Sequence, residues 1–167
     1  MNSILKKLTY GHYILTALKP GKEMETRERD YIAAGTINWA SQISFEPAMI
    51  AVTVGQKSDL NETINYSERF TLHILGEQNK EMVEAFGSKS AISDGKINGY
   101  PFSKKDGQVI LENTIGYIKC EVKKHLHLGD HFIYFGEVIA QKSMDDKTPV
   151  LCTKDHPVKY SEEIANA

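Results

Sequence analysis

No apolar run in this chain is long, and most are built from β-branched and aromatic residues broken every few positions by glycine or charge. That texture favours strands over helices, because such side chains pack well on a pleated surface and lose rotamer freedom in a helix. Strands are expected over 13–18, 48–54, 70–75, 115–122 and 132–140. Lys19-Pro20-Gly21-Lys22 has Pro then Gly in turn order and predicts a reversal into a partner strand over 31–36. Two short helices interrupt this pattern. Asp59 before Leu60, with Glu62 three residues on, reads as a cap for a helix through Tyr66. The stretch 77–86 puts Met82, Val83 and Phe86 on one face, with Gly87 as its stop. From Ser88 to Gln108 the chain is polar, with Gly95, Gly99, Pro101 and Gly107, and predicts a long surface loop.

Several short strands with few helices leave sheet edges that closure would remove, so a mainly β, closed or nearly closed antiparallel barrel is expected. The 167 residues suit a single domain over 1–167, since domains commonly run to about 100 to 200 residues. Twenty basic and 22 acidic residues give a net charge of -2, which argues against a nucleic-acid partner but allows a local basic pocket for one phosphate. Cys120 and Cys152 stand at neither metal-ligand nor redox-pair spacing, and no charged leader with an apolar stretch opens the chain. A cytoplasmic protein with reduced thiols is expected. No apolar segment approaches the ~20 residues of a membrane span, so no membrane partner is expected.

Three stretches carry residue types that hold ligands. In the first, Gly35 to Pro47, small and hydroxyl residues alternate with large apolar ones and bring backbone N–H groups and hydroxyls near a flat, polar-edged ligand. A plain strand with a solvated face and a turn at Pro47 accounts for the same residues. In the second, Gly55 to Asn61, a strand ends, Lys57 and Ser58 follow and a helix begins, a place suited to phosphate. An ordinary capped helix with a solvated lysine is the alternative. The third is Leu128-Gly129-Asp130-His131, where a histidine able to move protons near neutral pH meets a buried strand, though a structural histidine fits there too. His125 and His127 share a strand face with no cysteine or acidic cluster at ligand spacing, so no metal is expected.

In this order the stretches resemble the flavin reductase-like family, whose members bind FMN in a split barrel. The run Thr36-Ile37-Asn38-Trp39, followed by Ser41-Gln42-Ile43-Ser44-Phe45-Glu46-Pro47, is similar to that family's threonine and Ser-Phe-x-Pro signature. Gly129-Asp130-His131 with Gly136-Glu137-Val138 resembles its Gly-Asp-His and Gly-x-Val pair. The likeness spans residues 8 to 140. It departs at Ala33-Ala34-Gly35, where the family has Asn-Gly-Met, and at Pro47-Ala48, where it often has two prolines. The resemblance implies an FMN-binding split β-barrel, antiparallel and Greek-key-like, with a few short helices. By the same resemblance Thr36, Ile37, Asn38 and Trp39 line the isoalloxazine, and Ser41 of the same signature is a further cofactor-binding residue. Ser44 and Phe45, with Glu46 and Pro47 shaping the turn, reach the ribityl chain, and Lys57 and Ser58 the phosphate. Phe86 and Gly87 approach the ring, and His131 stands near the nicotinamide as the catalytic candidate.

The activity so implied is an FMN-dependent NAD(P)H:flavin reductase, with NADH or NADPH as electron donor, free flavin or a redox partner protein as acceptor, and a homodimer with the flavin at its interface. The alternative is a flavodoxin-like electron-carrier module with tightly held FMN and no productive nicotinamide binding.

Overall fold

The computed structural model describes residues 4–21 and 29–157. In chain order come β1 (Tyr13–Lys19), β2 (Tyr31–Ile37), β3 (Ala40–Phe45), β4 (Ala48–Gly55), α1 (Asp59–Ser67) and β5 (Arg69–Ile74). A 3₁₀ turn and α2 (Lys80–Ala85) follow, then β6 (Ile92–Ser93), β7 (Lys96–Ile97), β8 (Tyr100–Lys105), β9 (Gln108–Leu111), β10 (Gly116–Leu128) and β11 (His131–Ser143). The main antiparallel sheet has the order β2-β1-β5-β10-β11-β4-β3, and β6 to β9 make a small second sheet. The main sheet is a split barrel rather than a closed one. Its edge strands β2 and β3 are consecutive in the chain, joined through Asn38 and Trp39, with no ladder between them.

Strands β1 and β2 form the wall between two cores. Alternation sends Leu15, Ala17, Ala33 and Ile37 into the barrel, where they meet Val52, Phe70 and Tyr134. The intervening Ile14, Leu18, Ile32 and Ala34 face a second core with Met82, Phe86 and Leu111. Side chains fasten the small sheet to the barrel. Thr16 Oγ1 donates to the Val109 carbonyl at 3.1 Å, and Gln108 Nε2 to that of Phe70 at 2.8 Å. Buried His73 donates from Nδ1 to the Ile14 carbonyl and accepts the Leu111 N–H at Nε2, both at 3.1 Å, which fixes a neutral tautomer.

The structure departs from expectation in four places. The expected surface loop of 88–108 holds β6, β7 and β8 and reaches β9, because Asp94-Gly95, Asn98-Gly99 and Asp106-Gly107 each take positive φ at both residues, the geometry of tight hairpin turns. The helix expected over 77–86 is shorter, a 3₁₀ turn leading into α2 with Phe86 as its C-cap. The cap of α1 is Ser58 rather than Asp59, its Oγ accepting the Leu60 N–H. Strands β10 and β11 run on as an arm to the Gly129 turn, and among the described residues the outer edge of β10 has no strand partner beyond Glu121. The β1–β2 hairpin is present, while Lys22 of its expected turn lies outside the described residues. No helix among the described residues is long and apolar enough to cross a membrane.

Candidate functional site

The ends of β2 and β4, the start of α1 and the end of α2 converge on a cleft of about 380 Å³. Its lining includes Gly35, Thr36 and Ile37 from β2, Lys57 and Ser58 before α1, and Phe86 and Gly87 after α2. A side chain at Gly35 would come within 3.0 Å of Leu60 Cδ1, so glycine lets α1 approach the strand. Thr36 holds the opposite wall: its N–H donates to the Phe86 carbonyl at 3.0 Å and its Oγ1 to the Val83 carbonyl at 2.8 Å. The Phe86 ring is buried in the second core beside Tyr100.

His131 stands at the rim. Gly129, at φ +63°, makes the two-residue turn between β10 and β11, and Gln56 N–H donates to the Asp130 carbonyl at 2.9 Å, pinning that turn to the end of β4. The register sets His131 opposite Gly55, a lining residue of the cleft. His131 Nδ1 lies 2.5 Å from Asp130 Oδ1, and this hydrogen bond holds the Asp130 carboxyl below its ordinary range. The other face of the imidazole meets Trp39 at 5.0 Å between centroids, and Trp39 in turn meets Tyr10 at 6.3 Å. Beside Trp39, the Nδ2 of Asn38 is buried with no hydrogen-bond partner. Such a donor, beside a cleft lined by Lys57 and Ser58, fits a flat ligand with carbonyl edges and an anionic tail.

Thus Thr36, Ile37, Lys57, Ser58, Phe86 and Gly87 share one cleft, with Asn38, Trp39 and His131 grouped beside it. The remaining residues do not join them within one chain. Ser41 lines a separate, more apolar cleft with Tyr13 and Ile118. Ser44, Phe45, Glu46 and Pro47 lie at the opposite end of β4, roughly 20 Å along the sheet from Gly55 at ~3.3 Å per residue. Phe45 is 86% exposed there. Ser88, Lys89 and Ser90 also line the cleft, where the sequence suggested only the start of a loop. The signal for them is the helix stop at Gly87, which returns the chain toward β2. His125 and His127 lie on the β10 arm, His127 stacked on Phe132 at 4.4 Å.

Residues 5–160 match the model of the flavin reductase like domain. A diflavin flavoprotein of Synechocystis sp. is 28% identical over 142 residues, covering 83% of this chain and 23% of its own length. The chain therefore spans about a quarter of such relatives. The ferric-chelate reductase (NAD(P)H) of Archaeoglobus fulgidus is 24% identical over 156 residues, 92% of this chain and 87% of that protein. In three dimensions, the NADH:FAD oxidoreductase of Streptomyces globisporus C-1027, solved with NAD and FAD fragments, superposes with a TM-score of 0.75 at 15% identity, over 96% of this chain and 90% of the other. Split barrel, cleft and a family match over nearly the whole length agree, and the chain belongs to the flavin reductase like domain family.

Proposed function

We propose that the chain is an oxidoreductase of the NAD(P)H:flavin reductase type that holds FMN in the cleft between β2, β4, α1 and the end of α2. The observation that carries the reading is the placement of His131 opposite Gly55, at the rim of a cleft that Lys57 and Ser58 also line. A bound flavin would supply the two-electron chemistry, and the protein supplies position and polarity. Lys57, on the cleft lining just before α1, would face the phosphate. Gly35, Thr36 and Ile37 would line the ring's side of the cleft, and the unpaired Asn38 donor would meet one of its carbonyl edges. With its Nδ1 proton held by Asp130, His131 keeps Nε2 free to orient a nicotinamide or to hold a proton. NAD(P)H as donor is supported by the names of the Archaeoglobus and Streptomyces relatives.

A homodimer belongs to the same reading. The edge strand β3 exposes Ile43 and Phe45, and Ser44, Phe45, Glu46 and Pro47 would reach a flavin from a second copy rather than within one chain.

Anaerobic mixing of protein, FMN and NADH or NADPH should bleach the flavin's visible band faster than the free-flavin rate. Failure with both nucleotides would overturn the reductase reading. The electron-carrier alternative draws support from the diflavin flavoproteins, in which this segment is one part of a longer chain. It predicts a yellow protein that dithionite bleaches and neither nucleotide does.

A further inference from the structure

We infer that Tyr10 is a positioning residue of the reductase site, its ring setting the tilt of the Trp39 indole against His131, and that Thr153, 143 residues further on, fixes Tyr10 in place. The inference rests on the flavin reductase reading above. Trp39 lies in the link between the edge strands β2 and β3, and its main chain is secure, since its carbonyl accepts the Thr53 N–H at 2.9 Å. Its side chain is held differently. Among the described residues no hydrogen bond reaches the indole, and the residue is 37% exposed. An aromatic ring without a polar anchor takes the orientation that its ring neighbours leave open. Those neighbours are Tyr10, at 6.3 Å between centroids and 57° between planes, and His131, at 5.0 Å and 46°.

Tyr10 can serve as a stop only if it is itself rigid. It precedes β1 and lies outside both sheets, yet both of its backbone groups are used. Its N–H donates to Thr153 Oγ1 at 3.0 Å, and its carbonyl accepts the Thr153 N–H at 2.8 Å. Thr153 is firm in turn, because the segment around it is tied down at several points. Leu151 is buried in the second core; its N–H donates to the Leu75 carbonyl and its carbonyl accepts the His12 N–H, both at 2.8 Å. Further along, His12 Nε2 donates to the His156 carbonyl at 2.7 Å. Contacts thus run from the second core through Thr153, Tyr10 and Trp39 to the imidazole that Asp130 holds at Nδ1. Tyr10 acts on that imidazole only through Trp39.

The test pairs acrylamide quenching of Trp39, the sole tryptophan, with stopped-flow reduction by NADH or NADPH at saturating FMN. Tyr10→Ala should raise the quenching constant and slow reduction roughly three- to tenfold, because a misplaced catalytic group is felt in the rate. Tyr10→Phe keeps the ring and should match the wild type in both readouts. Thr153→Ala should move both in the same direction by less, and Thr153→Ser should restore them. On a Trp39→Ala background, Tyr10→Ala should slow the reaction no further, since the ring it acts through is gone. Unchanged quenching in Tyr10→Ala, or rate losses that simply multiply in the double variant, would overturn the role of Tyr10 and leave the flavin reading standing. The Thr153 pair reads the same contacts without opening a hole beside Trp39, should Tyr10→Ala fail to fold, and unchanged quenching there would be equally decisive. A wild-type protein whose flavin neither nucleotide reduces would overturn both the role and the reading.

Discussion

His131 gives its Nδ1 proton to Asp130 Oδ1 across 2.5 Å, while its Nε2 lies 4.0 Å from where a Cβ on Gly55 would sit. One ring edge is thus fixed and the other faces the cleft rim. Loss of the carboxylate frees the ring to rotate and to change tautomer. Asp130→Ala should slow NAD(P)H-dependent flavin reduction about tenfold, chiefly in kcat, without altering FMN affinity. Asp130→Asn keeps an acceptor and should recover most of the rate. Equal rates for wild type and Asp130→Ala in stopped-flow measurements would remove the pair from the mechanism.

Gly136 is a packing glycine. A Cβ there would sit 2.6 Å from Phe70 Cζ and 2.8 Å from Cys120 Cβ, both in the barrel interior. Gly136→Ala should cost about 1 to 3 kcal/mol as the core is forced apart. A urea midpoint unchanged from wild type would contradict this.

His73 makes stability depend on pH. Burial lowers its pKa to about 4, so the unfolded chain binds a proton that the folded one refuses. His12, also lowered chiefly by burial, acts in the same direction. The stabilisation is complete above ~6.5 and lost as pH falls toward the folded value, with His73 contributing on the order of 3 kcal/mol. Urea unfolding followed downward from neutral pH should show the midpoint falling over that window. A flat profile would mean that the folded ring takes up its proton as readily as the unfolded one.

The two cysteines should differ in reactivity. Cys120 is fully buried, and desolvation pushes its thiol up to about 12, whereas Cys152 is partly exposed near the chain's end. Iodoacetamide on the native protein should label Cys152 alone, with Cys120 following only in denaturant. Mass spectrometry of the digested protein would read out both sites.

Trp39 is the sole tryptophan and lies beside His131 at the proposed ring position. Its fluorescence should fall on FMN addition. A titration with no quenching, from protein that binds FMN by other measures, would move the ring away from Trp39.

Much of the barrel was legible because its strands alternate. Ile50, Val52 and Val54 point inward on β4, with less buried residues between them. The small sheet was not, because Gly95, Gly99 and Gly107 in a polar stretch mark loops and tight hairpin turns alike, and only the backbone shows three such turns in succession. The far halves of β10 and β11 were missed for another reason. Residues 123–128 of β10 are exposed on both faces, so Lys123, Lys124, His125 and His127 follow no core-facing alternation. At the cleft, Thr36, Lys57 and Ser58 were readable from their place at strand and helix ends. Ser90 was not, because a serine hydroxyl standing in for a ladder partner leaves no periodic trace.

The walls of the cleft belong to different cores, Ile37, Val54 and Leu60 to the barrel and Phe86 to the layer beneath the small sheet. A molecule gripped by both walls acts as a rivet across that boundary. Filling the cleft should then slow hydrogen exchange on β9 and α2 as well as beside the ligand, and should merge two separable openings into one cooperative event.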